Sequence, residues 1–183
     1  RKNKILNLKG VILSGGPESV TDSNTPRIPE IIFDLSIPLL GICYGMQTLA
    51  EQFGGQVSSS TTKEFGRAQI TLEKTSALFD GFGSGSLIDV WMSHGDHVST
   101  LPDEFNLIAS TSSAPIAAME HIKKPIYALQ FHPEVTHTDQ GKAILENFIF
   151  KICESTPQWK MEDLIEHRIQ EIKARIGDQR VLL

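Results

Sequence analysis

The 183-residue sequence contains few cysteines, since only Cys43 and Cys153 are present, in very different surroundings. Neither belongs to a CxxC pair or to a Cys/His cluster with the spacing of zinc ligands. The sequence therefore predicts neither a disulfide framework nor a metal site. Each cysteine is a candidate for a buried side chain or for a reactive thiol.

The chain also lacks a long apolar run and an excess of positive charge. No apolar segment approaches the roughly 18 residues that a membrane-spanning helix needs, and the residues 1–4 are not followed by a signal-peptide core. The formal net charge is −5, with Lys and Arg scattered along the chain, whereas nucleic-acid-binding surfaces usually carry a basic excess. We therefore expect a cytoplasmic globular protein that binds neither membranes nor nucleic acids.

The first third of the chain alternates short apolar runs with helical patterns. A β-branched run at 10–17 predicts a buried strand that leads into a glycine-rich turn, and residues 39–42 predict a second buried strand. Helices are predicted at 26–36 and 46–53. This alternation predicts a parallel sheet whose faces are covered by helices.

The rest of the chain predicts closely spaced strands and then helices. Residues 67–74 alternate apolar and polar side chains, which is the period of a half-exposed strand. Short connections favour antiparallel pairing here. The predicted fold class is therefore α/β, with a mixed, largely parallel central sheet flanked by helices in flavodoxin-like layering. Further strands are predicted at 87–92, 105–111, 115–121, 125–131 and 180–183, and helices at 139–153 and 160–176.

The pentapeptide around Cys43 has the spacing of a nucleophile elbow. In Gly41-Ile42-Cys43-Tyr44-Gly45, the flanking glycines remove side chains that would clash at a sharp strand-to-helix turn. Such a turn projects the thiol outward, and the positive end of the following helix favours the thiolate. The pentapeptide alone is equally compatible with a buried structural cysteine beside glycines placed for packing.

A cysteine nucleophile requires a base and a group that orients the base. His132 follows the predicted strand 125–131, and Glu134 lies two residues further on. In an extended segment both side chains point the same way, so the carboxylate could accept the imidazole N–H. Taken alone, a His-Pro-Glu segment is usually a surface turn. Its coincidence with an elbow favours the catalytic interpretation.

The glycine-rich turn at 14–17 supplies candidate backbone donors for an oxyanion. Elbow enzymes use the N–H of the residue after the nucleophile, here Tyr44, and a second N–H from a glycine-rich loop, here Gly16. A phosphate-binding loop is the competing interpretation of this turn. The Gly-Lys-Ser/Thr ending of such a loop is absent.

Taken together, three motifs closely resemble the class I glutamine amidotransferases of the triad type. The motifs are "GICYGMQ" at 41–47, "QFHPE" at 130–134 and "SGGP" at 14–17. Within that family, "VWMSHGD" at 90–96 and "HPEVTHT" at 132–138 resemble the glutaminase domain of GMP synthases. The resemblance covers nearly the whole chain and implies the fold of these amidotransferases.

The resemblance implies a thiol glutaminase with a Cys-His-Glu triad. Cys43 would attack the glutamine side-chain amide, His132 would transfer protons, and Glu134 would orient the imidazole. Gly16 and Tyr44 would form the oxyanion hole. The glutamine itself would be held by Gln47 and by the segment Ser93, His94, Gly95 and Asp96.

By the same resemblance, the ammonia would serve the amination of XMP to GMP by an ATP pyrophosphatase domain of the same full-length chain. ATP and Mg²⁺ are expected in that domain and no cofactor is expected in this chain, while the full-length protein is expected to form a homodimer. Residues 1–154 are expected to form the amidotransferase domain, without the family's first strand and helix. Residues 155–183 are expected to be a linker helix and the first strand of the next, truncated domain.

Two other functions remain open from the residues. One is glutamine or γ-glutamyl hydrolysis by a different thiol enzyme, either another class I amidotransferase or a γ-glutamyl hydrolase. The other is a non-catalytic interaction module that docks through the helix at 160–176, whose isoleucine stripe is apolar.

Overall fold

A computed structural model of the chain describes residues 8–157 and 161–177, except for the side chains of residues 60–63 and 161–164. The predicted strand at 180–183 lies outside the described residues. Within the described residues, seven strands and their helices follow one another. The strands are β1 Val11–Leu13, β2 Leu39–Ile42, β3 Gln56–Leu72, β4 Leu87–Thr100, β5 Phe105–Ser110, β6 Ala118–His121 and β7 Ile126–Leu129; the α-helices are α1 Glu30–Asp34, α2 Tyr44–Gln52, α3 Gly141–Glu146 and α4 Met161–Ile176. A 3₁₀-helix spans Ala77–Phe79, and a π-helix spans Asn147–Ile152.

The seven strands form one mixed sheet in the order β1-β2-β7-β6-β5-β3-β4. The α/β class and the mixed sheet are confirmed, but the prediction of a largely parallel sheet is wrong. Only the pairings β1–β2 and β2–β7 are parallel, whereas β7–β6, β6–β5, β5–β3 and β3–β4 are antiparallel. For β5–β6 and β6–β7 the physical reason is connection length, because parallel neighbours require a long crossover and these strands are joined only by residues 111–117 and 122–125.

Helices cover both faces of the parallel part of the sheet. Along β2, Leu39 faces a cluster that contains Met46 and Leu49 of α2. The next residue, Leu40, faces the opposite cluster, which contains Phe148 of the π-helix. This alternation is the period-2 pattern of a strand buried on both faces, and all four residues of β2 are buried.

The hairpin β3–β4 is much longer than the sequence predicts. Strand β4 continues through residues 93–96 and ends at Thr100, beyond the predicted strand at 87–92. Ser59 pairs with Asp96, and Glu64 pairs with His94. Between these two pairs the chain advances five residues along β3 and only two along β4. This irregularity is a bulge, a feature that is frequent beside active sites because it redirects side chains.

The two C-terminal helices, the π-helix and α4, differ in how far their apolar residues are buried. Cys153 is buried at the end of the π-helix in the cluster that contains Phe148. Helix α4 is followed by Gly177, whose φ of 56° favours glycine. In contrast, the predicted apolar stripe of α4 is exposed, with Ile165 at 53%, Ile169 at 46% and Ile172 at 54%. None of the helices within 8–157 and 161–177 has the length and apolarity needed to cross a bilayer.

We expect Gly45→Ala to destabilise the fold because α2 packs directly against β1 at this residue. A Cβ at Gly45 would collide with the backbone carbonyl of Leu13, which cannot move aside like a flexible side chain. The expected loss is on the order of 1–3 kcal/mol in the free energy of unfolding, measured by urea denaturation. Gly83→Ala is the matched control, because its Cβ would meet only Ser86 Oγ at 3.6 Å. Equal unfolding free energies for the two variants would contradict this packing argument.

Candidate active site

The sharp turn predicted at Cys43 is present between β2 and α2. Cys43 has φ 52° and ψ −107°, which is strained backbone for a residue other than glycine. A Cβ at Gly41 would lie 2.7 Å from Leu49 Cδ1, and a Cβ at Gly45 would meet β1. The two glycines therefore allow α2 to fold back against the sheet, which sets Cys43 at the carboxyl end of β2 as in a nucleophile elbow.

The Cys43 thiol is buried and held by two polar neighbours. Its sulfur lies 3.6 Å from the carbonyl oxygen of Ser93 and 3.8 Å from the amide nitrogen of Gln130. Burial raises the pKa of the thiol to about 11, opposed by the Tyr44 backbone N–H and assisted by the negative charges of Glu134 and Asp96. The expectation that the α2 N-terminus makes the free thiol a thiolate is therefore not met, because desolvation outweighs it.

His132 and Glu134 form the expected pair. Nδ1 of the imidazole lies 2.6 Å from Oε1 of the carboxylate, which places the Nδ1 proton between them and leaves Nε2 for other chemistry. The His132 backbone N–H donates to the Trp91 carbonyl at 3.0 Å, and the Thr138 hydroxyl donates to the His132 carbonyl at 2.6 Å. Strand β4 and the turn after β7 thus hold the imidazole in place.

The imidazole and the cysteine approach the same point of the loop at 14–17. A Cβ at Gly15 would lie 3.1 Å from His132 Cε1, 3.9 Å from His132 Nε2 and 3.6 Å from Cys43 Cβ. A side chain at this position would therefore require the imidazole to move by a few tenths of an ångström. The hydrogen-bond partners of the sulfur are nevertheless Ser93 and Gln130 rather than His132, an arrangement that is compatible with the loose geometry of unliganded catalytic sites.

Gly16 lies directly against Tyr44 in this loop. A Cβ at Gly16 would lie 3.7 Å from Tyr44 Cγ, and the Tyr44 hydroxyl donates to the Pro26 carbonyl at 2.7 Å. The two residues predicted to supply oxyanion donors are therefore neighbours beside Cys43. The position of Tyr44 is fixed by its backbone, which begins α2, and by its side chain, which is buried.

A cleft of about 530 Å³ opens above Cys43, and the residues predicted to bind glutamine line it. Its wall opposite the elbow is the part of β4 that pairs with the bulge in β3. Asp96 accepts a hydrogen bond from the Ser19 hydroxyl, and buried His94 lies with Nε2 3.0 Å from Glu64 Oε2. The predicted residues that line the cleft are Gly16, Cys43, Tyr44, Gln47, Ser93, His94, Gly95 and Asp96.

The charge of the cleft is negative. Glu18, Asp22 and Asp96 line it, and no Lys or Arg is among the lining residues whose side chains are described. Burial lowers the pKa of His94, against the opposing effect of Glu64. Such a cleft suits a ligand that carries an ammonium group, and it does not suit a phosphate. The competing interpretation of residues 14–17 as a phosphate-binding loop is therefore not supported.

Comparison with known proteins identifies a family that covers most of the chain. The family described as Glutamine amidotransferase class-I matches residues 1–152. GMP synthase [glutamine-hydrolyzing] of Teredinibacter turnerae is 52% identical over 184 residues, which cover 97% of this chain and 35% of that protein. The same enzyme of Methylococcus capsulatus is 53% identical over 182 residues, covering 96% of this chain and 34% of that protein.

The chain belongs to the class-I glutamine amidotransferase family. It spans about a third of the length of the curated relatives it matches. A solved structure of a GMP synthase subunit from Thermoplasma acidophilum is 34% identical with a TM-score of 0.68, covering 90% of this chain and 77% of that one. A glutamine amidotransferase of Methylobacillus flagellatus, with 21% identity and a TM-score of 0.60, covers 84% and 64% and shares the fold.

Three further polar residues of this amidotransferase site are absent from the sequence-based set. Ser19 and Glu64 contact Asp96 and His94 from outside the recognised motifs. Gln130 lies within the motif at 130–134 but faces inward, toward the sulfur. The motif did contain the signal for Gln130, since an amide at the end of an otherwise apolar strand requires a buried polar partner.

The alkylation rate of Cys43 by iodoacetamide should rise with pH because the thiolate is the reactive species. With the pKa raised to about 11, the thiolate fraction increases about tenfold per pH unit below that value. We expect the logarithm of the alkylation rate to rise linearly between about pH 7 and 9.5. The rate is measured by mass spectrometry of the Cys43 peptide. A plateau near pH 8 would show instead that the free thiol is already ionised at neutral pH.

Proposed function

We propose that the chain hydrolyses glutamine to glutamate and ammonia through Cys43, His132 and Glu134. One observation carries the proposal. A strained elbow cysteine lies at the base of an acid-lined cleft, and an imidazole paired with a carboxylate approaches it at Gly15. A buried cysteine without a catalytic role would not require either the backbone strain or the His-Glu pair.

The first step follows from the high pKa of the free thiol. A group with a pKa of about 11 is protonated at neutral pH, so the proton must leave as the sulfur attacks. His132 Nε2 takes that proton while Nδ1 remains bonded to Glu134, which stabilises the imidazolium. The sulfur forms a bond with the glutamine Cδ, and the amide oxygen becomes an oxyanion near the N–H groups of Tyr44 and Gly16.

The second half of the reaction returns the site to its starting state. The imidazolium gives its proton to the amide nitrogen, the C–N bond breaks, and ammonia leaves. A glutamyl thioester remains on Cys43. Water, deprotonated by the same imidazole, then attacks the thioester carbonyl and releases glutamate, while the sulfur recovers its proton.

The cleft lining supports an amino acid as the substrate. Asp96, Glu18 and Asp22 offer negative charge for an α-ammonium group. Gln47, Ser93, His94 and Gly95 offer backbone or side-chain hydrogen bonds on the same wall. We assign Gln47 and residues 93–96 to glutamine binding, whereas a γ-glutamyl peptide would place a second residue where the amide leaves.

We further propose that this chain is the ammonia-producing part of a GMP synthase. The relatives are about three times longer and are named glutamine-hydrolysing GMP synthases. Residues 1–154 then form the glutaminase domain, and 155–183 lead through the exposed helix α4 into an ATP pyrophosphatase domain that aminates XMP in the cytoplasm, in a full-length homodimer. The acidic cleft does not fit ATP, so ATP and Mg²⁺ belong to that other domain.

Cys43→Ala should abolish ammonia release from glutamine, because no other group lining the cleft in the described part of the chain is placed to form the thioester. Ammonia and glutamate are both measured, and Cys153→Ala is the matched control, since Cys153 is buried at the end of the π-helix and does not line the cleft. Retained glutaminase activity in the Cys43 variant would refute the proposal. A γ-glutamyl peptide assayed in parallel distinguishes glutaminase from γ-glutamyl hydrolase.

Glu134→Gln should lower kcat by about 10²-fold, because the imidazolium loses its negative partner and the tautomer is no longer selected. The KM for glutamine should change little, since Glu134 does not line the cleft. Glu146→Gln removes an exposed carboxylate that pairs with Lys142 at 3.7 Å and serves as the control. A change in KM alone would show that Glu134 acts on substrate binding and does not orient His132.

A further inference from the structure

Gln130 is a polar side chain in a place where polar side chains are costly. It follows β7 directly and is completely buried, with 0% exposure. Its backbone N–H donates to the Ala117 carbonyl at 2.9 Å, so this donor is satisfied without the side chain. A buried amide must find hydrogen-bond partners, or its desolvation is uncompensated. Those partners indicate what the side chain does.

The orientation of the Gln130 amide is determined by a chain of hydrogen bonds that begins in β4. The Asp96 backbone carbonyl can only accept, and Gln47 Nε2 lies 2.8 Å from it, so the amino group of Gln47 must face β4. The same amino group lies 3.5 Å from Gln130 Oε1. The amino group of Gln130 therefore points the other way, and its Nε2 lies 3.8 Å from Cys43 Sγ.

The sulfur thus has one neighbour that accepts and one that donates. The Ser93 carbonyl at 3.6 Å can accept the proton of the neutral thiol, but it offers nothing to a thiolate and repels it. The Gln130 amino group can donate to either form, and its bond strengthens when the sulfur becomes negative. A fixed amide dipole in a water-excluded position needs no reorganisation when that charge appears.

We propose that Gln130 is a further catalytic residue, which donates its amide N–H to the Cys43 sulfur and stabilises the thiolate, while Gln47 holds the amide in the donating orientation. The inference rests on the proposed thiol chemistry of Cys43. Gln47 then has a second role besides contact with glutamine. Through Gln47 and Gln130, the Asp96 backbone carbonyl in the cleft wall is connected to the Cys43 sulfur.

The direct test is the reactivity of Cys43 without any substrate. In Gln130→Met the side chain keeps a similar length and loses its donor, so less thiolate is present at a given pH. We expect iodoacetamide to alkylate the Cys43 peptide about tenfold more slowly than in the wild-type chain between about pH 7 and 9.5, corresponding to roughly one pKa unit. An unchanged rate would overturn the assignment.

Two more variants distinguish the loss of the hydrogen-bond donor from a change in reagent access and from a loss of protein stability. Gln130→Glu has the shape of glutamine, so the path of the reagent is preserved, and we expect alkylation at least as slow as in the Met variant. Asn147→Leu also removes a buried amide, one that begins the π-helix and donates to the Leu78 and Asp80 carbonyls. This control should unfold more easily while keeping the wild-type alkylation rate.

If the Gln130 variants do not fold, Gln47→Leu tests the same chain of bonds. Without the Gln47 amino group the Gln130 amide can rotate, so alkylation should again slow, by less than in the Met variant. A wild-type rate in Gln47→Leu would then count against the inference. The alkylation rate tests the role of Gln130, whereas ammonia release by the wild-type chain tests the glutaminase proposal. One proposal can therefore be refuted while the other stands.

Discussion

The backbone conformation of Cys43 is the constraint on which the site depends. A positive φ at a non-glycine residue is unfavourable by itself and persists only where the surroundings determine it. Here the surroundings are β2, buried on both faces, and α2, which begins at the next residue and is pressed against the sheet through Gly41 and Gly45. The strain is held by the two core clusters on either side of the sheet. The position of one sulfur atom is thus supported by most of the apolar core.

Electrostatics explains why this thiol needs assistance. Burial raises the pKa of Cys43 and keeps the thiol protonated, and nearby Glu134 and Asp96 add to the effect. The proposed reaction nonetheless uses these negative charges, because Glu134 pairs with His132 and an acidic cleft suits an ammonium group. Backbone N–H groups and a buried amide are donors without net charge, so they can favour a transient thiolate without weakening the attraction for the substrate.

The proposed glutamine-binding residues come from the antiparallel part of the sheet. Cys43 follows a parallel strand, whereas Ser93 to Asp96 lie on β4 at the far edge of the same sheet. The β3–β4 hairpin nevertheless reaches the elbow, because the Ser93 carbonyl oxygen lies 3.6 Å from the Cys43 sulfur. Two halves of the fold with different pairing patterns therefore meet at one cleft.

The sequence by itself determined the local features, because they depend on neighbours in the chain. Gly41 and Gly45 around Cys43 indicated the elbow, and His132 and Glu134 at spacing two indicated the pair. Short apolar runs and one alternating segment, at 67–74, indicated the strands. Only the tertiary structure decided how the strands order and pair, how far β3 and β4 extend, and which way Gln130 points. Those properties depend on contacts between residues distant in the chain, such as Gln47 with Asp96 and Gln130 with Cys43, and no local period encodes such contacts.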